Sequence, residues 1–210
     1  MREAKSIMLK TSNMVYKTLV VGVIVLFIGV GIQPAIADIV KKEPFKSLSK
    51  GNIFYVGGSG EGNYTRIQDA IDNASDGDTV FVFDELSPYY ESVWINKRIN
   101  LIGENRNTTI IDGKNFYWQC ITLVSDGITV SGFTVQNSSD DDFDNYGIIL
   151  GCNNTRIEDN VIKNNKIGIG CLLSGSNNSI SNNEIINNRV GIELFETKGN
   201  KVFQNIINVY

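Results

Sequence analysis

Four carboxylates fall within five positions, at Asp140, Asp141, Asp142 and Asp144. Oxygen donors at that density suit a hard cation such as Ca²⁺, although the spacing is not that of an EF-hand loop. The other reading is a solvated loop tip whose charges face water. The chain has no His. That removes a Ser-His-Asp triad, an imidazole general base and every His-ligated metal centre. Cys120, Cys152 and Cys171 lie far apart, each among apolar neighbours, and read as buried structural thiols rather than a disulfide framework. Tyr90 and Trp94, and later Tyr117 and Trp118, are the aromatic candidates for sugar contact. Rings exposed on a flat strand face would seat a pyranose, and neighbouring Asn side chains would hydrogen-bond its hydroxyls. Strand alternation would instead turn about half of such rings into a core. The net charge of −4 argues against a nucleic-acid partner, which needs a basic face. Asn63, Asn107, Asn137, Asn153 and Asn177 each open an N-x-[ST] triplet and are candidate glycosylation sites in an exported chain.

These residues need elements to hold them, and the second half of the chain supplies a repeat. Arg156-Ile157-Glu158-Asp159-Asn160-Val161-Ile162 aligns with Ser179-Ile180-Ser181-Asn182-Asn183-Glu184-Ile185 and with Lys201-Val202-Phe203-Gln204-Asn205-Ile206-Ile207. Ile157, Ile180 and Val202 are 23 and 22 residues apart. A second phrase runs in phase: Tyr146–Leu150, Ile167–Cys171 and Val190–Leu194. Diverged copies precede it in Ile121-Thr122-Leu123 and in the pair Asn100–Gly103 and Thr129–Gly132. Each phrase is three to five β-branched or alternating residues broken by Asn, Gly and Ser, the pattern of short strands and sharp corners. Such a period winds as a coil whose turns stack in parallel. Ile157, Ile180 and Val202 should then lie one above another, facing inward. Asn160, Asn183 and Asn205 should form a ladder along the axis, since Asn tolerates the left-handed backbone of a corner. A leucine-rich repeat shares the period but would require a Leu consensus and a helical return, which the Ile/Val phrases and Asn/Ser-rich returns do not provide.

The start of the chain reads as a leader. Four bases against one acid precede an apolar or Gly run, Leu19–Ile32, and then Pro34 and Ala35-Ile36-Ala37. This is a secretory signal peptide with cleavage after Ala37 or, uncleaved, a membrane anchor. The run of 14 residues is short for a span of about 20. Either form places the body outside the cytoplasm, extracellular or at the cell surface. Residues 38–50 read as a tether, and 51–210 as the folded domain, with a cap at 51–83 and about five coils over 84–210. The last coil stops in mid-repeat, so truncation of a longer product, or end-to-end self-association, is expected there.

Within the cap, Ile67, Ala70, Ile71 and Ala74 form one apolar stripe on a short helix over 66–74, for which Thr65 is the candidate N-cap. Laid over the end of the coil, that helix would cover an open apolar cross-section. The ordered set Tyr64–Ala74, Gly77–Val80, Tyr90–Val93 and Ile99–Glu104 resembles the N-terminal cap and first coil of the right-handed parallel β-helix proteins, the pectin-lyase-like superfamily. The Asn-rich coils that follow resemble its NosD-like and carbohydrate-binding/sugar-hydrolase branch. The resemblance covers residues 52–210. It implies an all-β, right-handed, single-stranded parallel β-helix solenoid with a short N-terminal capping helix.

What it implies for function is less uniform, because the fold hosts lyases, hydrolases, adhesins and copper-insertion proteins. The family's hydrolases resemble one another in an Asp set, a His-Gly pair and an Arg-x-Lys motif; here there is no His, and Arg156-Ile157-Glu158 has the wrong sign at its third place. A lyase would need an Arg or Lys base beside Ca²⁺-held acids, and Arg156 and Lys163 are the bases available. Copper, implied by the NosD likeness, wants Cys, Met or His, and after the leader only the three dispersed Cys remain. The expectation is therefore a cell-surface module that binds a polysaccharide or envelope glycan, or serves a structural or adhesive role. It has no cofactor unless Ca²⁺ binds the Asp run, and it meets the membrane only through an uncleaved leader. The alternative is a polysaccharide lyase or glycoside hydrolase with an acidic site.

Overall fold

The apolar phrases that repeat in the sequence form three rows of short parallel strands. The computed structural model describes residues 51–114, 119–138, 145–172 and 175–210. The leader, the tether, Tyr117, Trp118, Asp140, Asp141, Asp142 and Asp144 lie outside the described residues. Sheet A has seven strands: β1 (Ile53–Val56), β2 (Thr79–Val82), β4 (Asn100–Gly103), β7 (Thr129–Ser131), β10 (Arg156–Glu158), β13 (Ser179–Ser181) and β16 (Lys201–Phe203). Sheet B has five: β5 (Ile110–Asp112), β8 (Thr134–Gln136), β11 (Val161–Lys163), β14 (Glu184–Asn188) and β17 (Ile206–Val209). Sheet C has five: β3 (Val93–Ile95), β6 (Gln119–Leu123), β9 (Tyr146–Leu150), β12 (Ile167–Cys171) and β15 (Val190–Leu194).

From β4 onward the chain visits A, B and C in order, and each circuit pairs in parallel with the one before. The result is a parallel β-helix of about six turns. About five coils were expected; the count rises because β2 already pairs in register with β4. In that first turn Tyr89 alone, bridged to Ile111, stands where a strand of sheet B would be.

The register carries the repeat into the core. In sheet A, Val80, Leu101, Val130, Ile157, Ile180 and Val202 form one continuous row. Ile111, Val135, Ile162, Ile185 and Ile207 do the same in sheet B. All are fully buried except the last of each row: Val202 and Ile207 are 41% and 48% exposed. The expected stacking of Ile157, Ile180 and Val202 is present, but Val202 is not enclosed, because among the described residues no further turn covers it.

Corners are built by a two-residue device. A residue with left-handed backbone turns the chain, and the next one points its side chain inward. Asp159, Asn182 and Gln204, with φ of 57°, 57° and 55°, precede Asn160, Asn183 and Asn205. The Asn160 backbone N–H and side-chain amide both donate to Asn183 Oδ1 at 3.1 Å. Asn183 repeats both bonds to Asn205 Oδ1 at 2.9 and 3.0 Å. Two further ladders occupy the other corners. Asn165 donates from its backbone to Asn188 Oδ1 at 2.9 Å, and Thr155 and Asn178 donate in turn to Asn178 and Asn200, both at 2.8 Å. The buried backbone N–H groups and amides of these ladders are thereby paired along the axis.

The cap helix, α1 (Ile67–Asn73), buries Ile67, Ala70 and Ile71. Thr65 is not its N-cap. Arg66 holds that position without a side-chain bond, and the Glu91 carboxylate accepts from the N–H groups of Ile67 and Gln68 at 2.8 and 3.1 Å. At the other end Lys97 Nζ donates to the carbonyls of Ile71, Asp72 and Ala74 at 2.7–3.0 Å. A distant acid and base, placed either side of β3, thus satisfy the orphan groups at both helix ends with the charge signs that the helix dipole favours.

Candidate functional site

The outer face of sheet C carries the exposed aromatic candidate. In β3, Val93 and Ile95 are fully buried, so Trp94 between them faces solvent and is 57% exposed. Its row continues through Thr122, Ile149, Gly170 and Glu193. One position past the inward row from Ile95 to Leu194, which is buried except at Leu194, a neighbouring row runs through Val124, Gly151, Leu172 and Phe195, each donating its N–H to the preceding turn. Val124 and Phe195 are exposed. The two rows form a flat, mostly apolar strip along the axis, with a new rung about every 4.8 Å.

Trp94 is held from below. Its N–H donates to Gln68 Oε1 at 2.8 Å, and Gln68 Nε2 donates to its carbonyl at 3.3 Å. Gln68 so stands in for a missing neighbouring strand and fixes the backbone that presents the indole. Tyr90 is also exposed, at the entrance to β3.

A polar pair closes the far end of the strip. Tyr146 starts in β9, yet its ring covers the outer side of Gly170, where any Cβ would collide with the ring carbons. The phenol O–H donates to Glu193 Oε2 at 2.9 Å. One side chain therefore spans three turns and is almost wholly buried without entering the core. The repeat sets Tyr146 opposite Ile167 and Val190 and carries no sign of this; the one signal in the sequence is Gly170, the small residue in a row otherwise filled by Trp94, Thr122, Ile149 and Glu193.

The other sequence candidates are dispersed. Arg156 and Lys163 do not converge, since they sit in sheet A and sheet B. Among the triplets, Asn107 and Asn177 are exposed. The amides of Asn63, Asn137 and Asn153 instead donate to the Gly57 carbonyl and to the carboxylates of Asp112 and Asp126. The acidic run and Tyr117-Trp118 fall outside the described residues, but each segment leads along the chain into a strand of sheet C.

The family comparison extends over most of this architecture: residues 71–210 match the family described as periplasmic copper-binding protein (NosD). The chain belongs to the NosD family. A solved structure, the pectin methylesterase PemA from Erwinia chrysanthemi, is similar at 14% identity and a TM-score of 0.39. The similarity covers 67% of this chain and 54% of that one, so the chain spans about half of that protein's length. No curated protein matches.

The donor set of this NosD-family chain does not fit the copper of the family's description. It has no His, and its three Met lie in residues 1–14. Cys120, Cys152 and Cys171 are free and buried. Burial, followed by the Asp112 charge, pushes the Cys120 thiol up to about 12. Burial also raises Cys152 and Cys171, against an opposing hydrogen bond between Cys152 and Thr155 and opposing bonds from Asn178 and Asn200 to Cys171. A copper ligand must be thiolate. Among the described residues no group of three or more His, Cys, Asp or Glu is placed to hold a metal ion.

Proposed function

We propose that this NosD-family chain is an exported β-helix module that binds carbohydrate on the outer face of sheet C. The observation that carries the reading is Trp94: an exposed indole on an edge strand whose backbone N–H and carbonyl are both held by Gln68. A sugar ring stacks on such a surface through its C–H face, and a rigid strand spares the ordering cost of binding. Thr122, Glu193 and Tyr146 place hydroxyl and carboxylate groups along the same strip for the sugar hydroxyls. Tyr90 belongs to this surface, with Tyr117 and Trp118 as its further proposed members. The periplasmic description of the family supports export. Asn107, exposed in the turn between β4 and β5, is the triplet best placed for glycosylation.

Titration with a panel of neutral hexasaccharides, cellohexaose and chitohexaose among them, tests the reading. Binding that quenches tryptophan fluorescence, and that Trp94→Ala weakens tenfold or more, is expected. Full affinity in Trp94→Ala, or no binding across the panel, overturns it.

A lyase or hydrolase is the second reading, because the acidic run leads directly into β9, the strand of Tyr146. It calls for Ca²⁺-dependent cleavage of a polysaccharide that is lost in Asp141→Asn/Asp142→Asn.

A further inference from the structure

A second surface, on sheet A, is built differently. Arg156, Ser179 and Lys201 lie opposite one another in three successive turns. All three line a concavity of about 510 Å³, together with Asn154, Thr155, Asn177, Asn178, Gly199 and Phe203. The register puts the two cations two rungs apart, about 10 Å between backbones. The small Ser179 between them leaves the floor low. Asn154 and Asn177, both left-handed with φ of 56° and 58°, bring side-chain amides to the corner rim. Among the described residues no carboxylate lines the concavity; the nearest acid on its strand is Glu158, two residues beyond Arg156 and on the same outer face. In a chain with net charge −4, a hollow whose described lining holds two cations and no acid is a local reversal of sign.

We infer that this hollow binds the acidic groups of a glycan, with carboxylate or sulfate oxygens shared between Arg156 and Lys201. The inference rests on the reading of the chain as a carbohydrate-binding module and adds the charge of the ligand. Arg156 supplies the planar fork that matches a two-oxygen anion. Lys201 supplies a mobile point charge two turns on, and Ser179 and the Asn amides supply neutral hydrogen bonds between them. The exposed face of Phe203 at the end of the hollow offers a stacking surface to the ring that carries the acid. A chain bound here lies along the solenoid axis, crossing the strands. This site is separate from the Trp94 strip on sheet C, so the two can be lost independently.

The test is a titration of the full chain with hexagalacturonate, a heparin hexasaccharide and cellohexaose, at low and high salt. One or both acidic probes should bind, with affinity falling steeply as salt rises. Arg156→Gln/Lys201→Gln should weaken that binding at least tenfold, while Trp94→Ala leaves it within twofold. Both substituted side chains are exposed, so an unchanged melting temperature shows that the fold persists. Preference between the two probes tells carboxylate from sulfate. Acidic probes that do not bind, that bind the double variant equally well, or that bind no better than cellohexaose overturn the inference. Cellohexaose binding that depends on Trp94 would in that case still stand, whereas loss of all binding removes both readings.

Discussion

Gln68 and Trp94 form a two-way amide pair, in which one side chain on the cap helix satisfies both backbone groups of a residue on the edge of sheet C. The helix does more than cover apolar surface. It completes the hydrogen bonding of a strand edge that would otherwise be open to another chain. Glu91 and Lys97, three positions either side of Trp94, hold the two ends of the same helix.

Gln68→Ala should therefore lower stability by about 1–2 kcal/mol, two modest hydrogen bonds. It should also loosen the indole. Thermal unfolding reads the first effect, and the anisotropy and sugar quenching of tryptophan fluorescence read the second. Glu91→Ala, which uncaps a buried helix start, should cost more than Gln68→Ala. An equal or smaller loss would show that the helix is held by its apolar face alone.

The core ladder sets the scale for the corners. Asn183 accepts two bonds from Asn160 and donates to the Ile157 carbonyl and to Asn205. Asn183→Ala leaves a buried N–H and a buried carbonyl unpaired and should cost about 3 kcal/mol or more. Asn205→Ala, one rung on and only half-buried, should cost about 1 kcal/mol. Equilibrium urea unfolding of the two variants checks the ratio; similar losses would mean that the ladder does not act through burial.

The solenoid was legible because its period forces like residues into register. Ile157 over Ile180 needs only the spacing of 23, and Asn160 over Asn183 follows from the same count. What escaped sequence reading were contacts between unlike residues. Glu91 capping α1 joins positions 24 apart that belong to no repeat. The repeat does stack Arg156, Ser179 and Lys201, but nothing in the period says that the two bases would share one hollow, while Lys163, the other base near Arg156 in the chain, lies on a different sheet. A repeat reports which residues stack but not which side chains cross a rung to reach another.

Tyr146 and Gly170 show that crossing. Gly170→Val should drive the phenol off its seat and break the bond to Glu193. Tyr146→Phe removes only the hydroxyl and keeps the ring in place. If the strip works as proposed, Gly170→Val should reduce affinity for neutral hexasaccharides severalfold and lower the melting temperature by several degrees. Tyr146→Phe should show the smaller change in both. Wild-type behaviour of Gly170→Val would place the ring elsewhere in solution.

Alkaline stability should expose the buried acids. Tyr89, whose hydroxyl donates to the Phe83 carbonyl at 2.7 Å, is pushed up to about 12, first by burial and then by the charges of Glu91, Asp84, Glu85 and Glu104. The Cys120 thiol is also pushed up to about 12. Both groups lose a proton more readily in the unfolded chain, where the thiol and phenol have their ordinary values of 9.0 and 10.0. The unfolded state then holds fewer protons than the native state, so stability falls as pH rises. The contribution of Cys120 is intact below pH 9 and is withdrawn between about 9 and 12, at about 1.4 kcal/mol per pH unit. Cys120→Ser should lessen the slope above pH 9, leaving the share that comes from Cys152 and Cys171, whose thiols burial also raises. A thiol reagent at pH 8 should meanwhile label none of the three cysteines until the protein is unfolded, because a buried, protonated sulfur is a poor nucleophile. Rapid labelling of the native chain would show that at least one of the three turns that hold them opens well below the global unfolding limit.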